Sequence, residues 1–343
     1  MWRASLLLLT LLGTLAGREA SAEEKIQVVT TLPHLAAHAR EVGGDRVEVR
    51  ALARGDQDPH FIQPTPSLMV AAREADAYVE VGLQLELWSE RVLDGARNVD
   101  VRVGAPGHLY ASAGAVVLET PALVSRALGD VHPQGNPHVW LHPVNGVQEA
   151  RNIAAHLERL DPKGGPGYRE RFEAYRKRIL EGYVGPDLVK ILGLDSVEGL
   201  AREGKLFSFL ESKSYKGKKL IDHAGGWLAK TAPVRGARFI DYHRIAPYMA
   251  AAFGVELVGD VEPFPGVPPS PAHLTALEQK VRELGVRAVT HTPYDRVDIA
   301  RSLAEKTGIR AVEIPSEVGA VAEATDYLTL MDALATRLSE GLK

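Results

Sequence analysis

The sequence contains no cysteine. Disulfide bridges and thiolate metal ligands are therefore excluded, and no lipid can be attached through a cysteine thioether. Any transition metal that this chain binds must be held by histidine nitrogens or by oxygen atoms. Aromatic residues are also scarce, at 6% of the chain. This composition disfavours a wide aromatic pocket for a large planar ligand.

A strong charge of either sign is missing as well. The formal net charge of the 343 residues is only −4, so nucleic acid and anionic membranes are not expected as partners. No apolar run is long enough to cross a bilayer. A shorter run, Leu6 to Gly17, follows Arg3 and precedes Ala20-Ser21-Ala22, which is the pattern of an export signal. We therefore expect residues 1–22 to be cleaved, leaving a periplasmic protein without a lipid or membrane anchor.

The remaining chain alternates short β-rich runs with amphipathic helices. The run Gln27 to Thr30, the helical stretch Leu35 to Val42 and the run Val47 to Leu52 form a β-α-β opening, the unit of a parallel sheet. The second half repeats this pattern, with a helix over Pro271 to Leu284 leading into the strand Arg287 to Thr290. The sequence therefore predicts an α/β protein with two lobes built on mostly parallel sheets.

A charged helix separates the two halves. Tyr168 to Tyr183 carries a narrow apolar stripe, which fits a connector lying along two lobes and fits an ordinary surface helix equally well. We predict an N-terminal lobe over 23–165, a connecting helix region over 166–190 and a C-terminal lobe over 191–343. Composition assigns no role to 184–235.

Four of the twelve histidines lie in settings that suit metal binding. They are His60, His138, His243 and His291. Neutral imidazole is the commonest protein ligand for zinc, and four nitrogens complete a tetrahedral shell. No pair of the four has the spacing of a helical His-Glu-x-x-His motif, so tertiary folding must assemble the site.

The positions of these histidines favour a single crevice. His243 and His291 each follow a predicted strand, and ligands of open parallel sheets bind at the carboxyl ends of the strands. Asp58-Pro59 before His60 and Asn136-Pro137 before His138 restrict the backbone and would hold both rings in place.

Other histidines are weaker candidates. His34 and His38 have the spacing of a metal-binding pair on a helix, but no carboxylate accompanies them in the sequence. His132 and His142 flank His138 and could either pass metal towards it or be solvated, and we expect both to be solvated.

The chain resembles the solute-binding receptors of ABC importers for zinc and manganese. The matching segments run in order along nearly the whole predicted mature chain: Glu41-Val42-Gly43-Gly44-Asp45, Asp58-Pro59-His60, Pro64-Thr65-Pro66-Ser67, Gly135-Asn136-Pro137-His138-Val139-Trp140-Leu141, Asp241-Tyr242-His243 and Glu305-Lys306-Thr307-Gly308. The resemblance implies two α/β lobes joined by one long backbone helix, with a metal ion between the lobes. It also implies a monomer that delivers its metal to the membrane permease of an ABC importer.

The resemblance carries three metal ligands over onto His60, His138 and His243. In such receptors three histidine ligands tend to accompany zinc binding, whereas a carboxylate at the third ligand position tends to accompany manganese binding. This agrees with the preference of imidazole for zinc and of harder oxygen ligands for manganese. We therefore expect Zn²⁺ as the transported ligand, with Mn²⁺ as the alternative.

The fourth ligand departs from the family pattern, in which the second lobe usually offers a carboxylate. His291, in His291-Thr292-Pro293-Tyr294-Asp295, is the first candidate here. Glu317 is the second candidate, and a water molecule is the third. The long loop rich in histidine and acidic residues that many zinc receptors carry is missing.

Two other functions fit parts of the pattern. A zinc hydrolase would need three protein ligands, an open position for water and a nearby general base, but no catalytic motif for one is present. A receptor for a chelated metal such as haem or a siderophore would need a wide cleft lined by aromatic or arginine side chains. A non-catalytic receptor for a naked metal ion is the better interpretation.

Overall fold

The computed structural model describes residues 24–121, 132–264 and 266–343. The first half of the chain forms a four-stranded sheet in the order β2-β1-β3-β4. Its strands are β1 (Ile26–Thr30), β2 (Val47–Ala51), β3 (Ala77–Glu80) and β4 (His108–Tyr110). All the pairings are parallel, with Ile26 opposite Val47 and Val28 opposite Ala77.

The second half forms a separate four-stranded sheet. Its strands are β7 (Arg238–Asp241), β8 (Glu256–Asp260), β9 (Ala288–His291) and β10 (Arg310–Glu313). The order is β10-β9-β7-β8, and again every pairing is parallel. A small antiparallel ribbon, β5 (Ser214–Tyr215) with β6 (Lys218–Lys219), lies between the two sheets in the sequence.

Helices connect and cover these strands, as parallel pairing requires. Those of the first half are α1 (Pro33–Gly43), α2 (Pro66–Arg73), α3 (Ser89–Ala96) and α4 (Pro143–Leu160). They are followed by α5 (Gly165–Val184), α6 (Pro186–Leu192), α7 (Leu194–Arg202), α8 (Leu206–Ser212) and α9 (Gly226–Thr231). The last are α10 (Pro247–Phe253), α11 (Pro271–Leu284), α12 (Val297–Thr307) and α13 (Tyr327–Gly341).

Helix boundaries follow local chemistry. The Ser270 side chain accepts a hydrogen bond from the His273 backbone N–H at the start of α11, and Gly285 ends that helix with φ 63°, a conformation that glycine adopts without strain. Asp326 and Thr329 form a reciprocal capping box at the start of α13. Such caps satisfy backbone groups that the first turn leaves unpaired.

Helix α5 is the long connector. It contains 20 residues and packs against α1 and α4 on one side and α9 on the other. Its apolar stripe, which includes Phe172, Tyr175 and Ile179, is buried in the same hydrophobic cluster as both α1 and α13. The connector is therefore part of a core shared by the two halves, not an isolated surface helix.

The predicted fold class, two α/β lobes with parallel sheets joined by a long helix, is confirmed. The predicted domain limits of 23–165, 166–190 and 191–343 stay predictions. The predicted export signal falls at residues 1–22 and lies outside the described residues. Among the helices that the structure describes, none combines the length and the apolar character needed to cross a membrane.

Candidate metal centre

Three of the predicted ligands come together in the fold. One ring nitrogen from each of His60, His138 and His243 lies within 4.8 Å of the other two. The ring centroids are 5.1 to 5.6 Å apart. Two nitrogens bound to one tetrahedral zinc, at bonds of 2.0–2.1 Å, lie about 3.3 Å apart. Small ring rotations would therefore suffice to place all three nitrogens on one ion.

His60 and His138 are presented by the same local structure. The Asp58 Oδ1 atom accepts from the backbone N–H of His60 and lies 2.9 Å from its Nδ1. In the same way, the Asn136 Oδ1 atom accepts from the backbone N–H of His138, 3.1 Å from the nitrogen, and lies 2.9 Å from the His138 Nδ1. In both cases proline lies between the two residues. Each turn fixes the ring by Nδ1 and leaves Nε2 for the centre.

His243 is held by a carboxylate from another element. Its Nδ1 lies 2.8 Å from Glu262 Oε2, just beyond β8. The turn that carries His243 is fixed by Asp241, whose Oδ2 accepts from the backbone N–H groups of Ile245 and Ala246. Burial raises the pKa of Asp241 to about 8. All three imidazoles thus have an oxygen partner at Nδ1, the arrangement that orients and tunes histidine ligands of metals.

The electrostatic surroundings differ between the rings. Burial, together with the nearby His60 and His243, lowers the pKa of His138 well below its usual value. Its Nε2 is buried and has no hydrogen-bond partner among the described residues. Burial alone would lower the pKa of His243, but the hydrogen bond and charge of Glu262 raise it. The neutral form that ligates a metal is therefore favoured more strongly at His138 than at His243.

Two tryptophans fix the surroundings. The Trp88 Nε1–H donates to the carbonyl of Pro59 at 2.8 Å, which anchors the turn before His60. Trp140 is buried, its ring centroid lies 5.5 Å from that of His138, and its Nε1–H donates to the carbonyl of Ser316 at 2.7 Å. Trp140 therefore forms an apolar side of the centre and links it to the second half of the chain.

Neither protein candidate for the fourth ligand is in the group of three, and both stay predictions. His291 is buried at the end of β9, with Nδ1 3.0 Å from the carbonyl of Thr292, and it is not in the group of three. The Glu317 carboxylate accepts from the backbone N–H of His34 and lies 2.7 Å from its Nδ1. Burial raises the pKa of Asp295, and the nearby His243 partly offsets this effect. The Asp295 carboxylate accepts a hydrogen bond from the Thr292 backbone N–H.

His132 was missed by the sequence analysis, which expected it to be solvated. Its Nε2 lies 3.3 Å from Nε2 of His60, and the ring centroids are 5.3 Å apart. Burial and the neighbouring His60 and His243 lower its pKa to about 4. The only sequence signal was its position, six residues before His138 in the segment where longer histidine-rich loops occur in similar receptors. His142 is not solvated either: it is buried and caps α4 by accepting from the Val144 backbone N–H.

His34 and His38 do have a carboxylate partner, which the sequence analysis could not see. Glu149 Oε2, on α4, lies 3.6 Å from Nε2 of both rings. All three side chains are fully buried. Burial opposes the charged form of His34, but Glu317 and Glu149 raise its pKa to about 10. This cluster is therefore a buried ionic contact that joins α1, α4 and the segment after β10.

Comparisons with known proteins agree with this geometry. The family model described as the periplasmic component A of the zinc-uptake complex matches residues 28–181 and 218–341. Among curated relatives, the manganese ABC transporter substrate-binding lipoprotein PsaA of Streptococcus pneumoniae is 29% identical over 163 residues, which cover 46% of this chain and 49% of the relative. The iron-binding protein YfeA of Yersinia pestis is 28% identical over 156 residues, 46% of each chain. The chain thus matches about half the length of these relatives.

Solved structures extend the similarity of fold to most of the chain. The laminin-binding protein Lmb of Streptococcus agalactiae, described as a bifunctional protein with adhesin and metal-transporting activity, is 26% identical with a TM-score of 0.64, over 93% of this chain and 100% of that one. The crystal structure of ZnuA is similar over the same shares, at 20% identity and a TM-score of 0.67, which shows the fold alone. The family consists of substrate-binding proteins, not enzymes. With the family model matching well over half of its residues, this chain belongs to the family of periplasmic zinc-uptake components.

Proposed function

We propose that this protein is an extracytoplasmic receptor that captures a divalent metal ion and delivers it to the membrane permease of an ABC importer. The observation that carries the proposal is the convergence of His60, His138 and His243 from distant parts of the chain. Each ring is fixed at Nδ1 by an oxygen atom, so the three Nε2 atoms are preorganised for one ion. Ring nitrogens within 4.8 Å leave room for an ion and not for a metal macrocycle.

Zn²⁺ is the proposed cargo. The ligand set is made of imidazole nitrogen, which suits zinc, and the nearest carboxylates are engaged in orienting the rings. Mn²⁺ is the second candidate, because several relatives are named as manganese receptors. Manganese favours carboxylate, carbonyl and water oxygens, and a centre built on three imidazoles supplies none of these from its own ligands.

The sequence also predicts a monomer without a lipid anchor, and both stay predictions. The curated relatives include lipoproteins, whereas this chain has no cysteine to carry a lipid. We propose that it acts as a free receptor outside the cytoplasm. Catalysis is not part of the proposal, in keeping with a family of substrate-binding proteins.

A competition experiment tests the choice of metal. Purified protein is stripped with a chelator and titrated with Zn²⁺ and with Mn²⁺ against a metal indicator of known affinity. We expect one Zn²⁺ per chain and an affinity for Zn²⁺ at least 100-fold above that for Mn²⁺, since nitrogen ligands and the general order of metal affinities both favour zinc. Equal affinities would contradict the zinc assignment, and no binding of either ion would contradict the receptor proposal.

A further inference from the structure

A fourth imidazole lies beside the centre, next to His60. Like His291, His132 is outside the group of three whose nitrogens all lie within 4.8 Å of one another, so its ring would have to turn towards a bound ion. His132 is half-buried beside His60, with 3.3 Å between the two Nε2 atoms. That separation equals the distance of about 3.3 Å between two nitrogens on one tetrahedral zinc. The two rings are within hydrogen-bond distance of each other, and the same spacing suits two nitrogens that share an ion.

The His132 ring lies close to the backbone of Gln84. Burial lowers the pKa of His132, and the contact with the Gln84 backbone partly offsets this effect. Gln84 and Leu83 have positive φ angles of 62° and 55°, which are uncommon for residues other than glycine and persist where surrounding contacts impose them. Gln84 therefore belongs to a turn whose conformation is imposed by its surroundings.

Buried hydrogen bonds hold this turn in place. The Glu86 carboxylate accepts from the backbone N–H groups of Val81 and Gly82 and from the Thr31 hydroxyl, at 2.7 to 3.1 Å. The Leu85 N–H also donates to the carbonyl of Gly82 at 3.1 Å. The turn beside His132 is thus held by buried hydrogen bonds.

The segment 132–138 is folded so that both of its end histidines face the same point. The Gly135 N–H donates to the His132 carbonyl at 3.1 Å, and the Asn136 N–H donates to the Leu118 carbonyl at 2.9 Å. Gly135 has φ 109°, and a Cβ there would lie 2.4 Å from the Val117 side chain. Only glycine allows this close reversal of the chain.

We propose that His132 supplies the fourth nitrogen to the ion held by His60, His138 and His243, so that the shell is made of four histidines. This inference rests on the proposed function. It replaces His291 and Glu317 with a ligand from the same loop as His138. A shell of four imidazoles also sharpens the preference for zinc over manganese, because no oxygen ligand remains.

X-ray absorption of the zinc-loaded full chain counts the ligands directly. The wild-type protein is compared with His132→Gln, and His223→Gln, a histidine outside the centre, is the matched control. We expect the outer-shell scattering of the ring atoms to show four imidazole ligands in the wild type and in the control, and three in His132→Gln. Competitive titration with Zn²⁺ should show an affinity loss of at least about 10-fold for His132→Gln, because removing even an outer-shell partner costs 10- to 100-fold.

The alternatives give different results. If His132→Gln keeps four imidazole ligands and wild-type affinity, the inference fails while zinc binding by the other three histidines stands. If His291→Ala loses an imidazole ligand and His132→Gln does not, the fourth ligand is His291 and the inference is overturned. If the wild type binds no Zn²⁺, the proposed function itself fails. Melting of the zinc-free variants confirms that each protein is folded.

Discussion

The turn before His60 provides a sharp test of how the centre is organised. Asp58 Oδ1 accepts two hydrogen bonds from His60, one from the backbone and one from the ring, each 2.9 Å long. Each bond contributes about 1 kcal/mol to holding the ring in its binding orientation, so Asp58→Ala should weaken the free energy of zinc binding by about 2 kcal/mol. That corresponds to about a 30-fold loss of zinc affinity, within the 10- to 100-fold range for outer-shell partners.

The chain supplies its own control for this variant. In the equivalent turn, Asn136 fixes His138 through an amide oxygen with nearly the same geometry. Asp58→Asn keeps an acceptor oxygen, so it should retain affinity within a few-fold of the wild type. Competitive titration with Zn²⁺ measures both variants. Unchanged affinity in Asp58→Ala, or an equal loss in Asp58→Asn, would refute the role given to this oxygen.

Three further predictions concern ionisable groups. Glu149→Gln breaks the buried contact with His34 and should lower the free energy of unfolding by about 3–5 kcal/mol. Denaturant titration measures this change. An unchanged free energy of unfolding would show that the contact is not ionic. The pKa of His34 is raised to about 10. Its contribution to stability is therefore complete below about pH 6.5 and is lost as the pH rises towards 10. Over this pH range the free energy of unfolding of the zinc-free wild type should fall more than that of Glu149→Gln. Glu262 raises the pKa of His243. Zinc binding to the wild type should therefore still displace protons from His243 above pH 6.5, and zinc binding to Glu262→Gln should displace fewer. Calorimetry in buffers of different ionisation enthalpy measures this release, and equal values would contradict the assignment.

Local patterns in the sequence were enough for the architecture. The helix over Pro271 to Leu284 was predicted with the limits that the structure shows, and serine and glycine caps mark its ends in the structure. The strands β1, β2 and β9 were predicted to within one residue at each end. Region 184–235, which the sequence left unassigned, contains the short helices α6 to α9. Their short length gives too few turns for a clear apolar period, so packing against α5 and the core defines them.

The residues of the centre were predictable only where a short sequence motif surrounds the histidine. Proline and an oxygen acceptor two residues earlier mark both His60 and His138, and these turns form in the structure as the motifs suggest. His132 has no such signal, since the ring that it contacts, His60, is 72 residues away in the chain. The pairing of Glu317 with His34 spans 283 positions. Contacts of this kind follow from the assembled fold and leave no mark on the local pattern.

The central claim is that His60, His138 and His243 hold one zinc ion in the folded protein. A ligand that binds only the native state stabilises it by about 4 kcal/mol at a thousandfold excess over Kd. The most direct measurement is the melting temperature of the purified protein with saturating Zn²⁺ and with chelator, for the wild type and for His60→Ala, His138→Ala and His243→Ala. We predict that Zn²⁺ raises the melting temperature of the wild type by several degrees, that chelator reverses the rise, and that each replacement removes most of it. A wild-type melting curve unchanged by Zn²⁺, or an equal rise in all three variants, would contradict the claim.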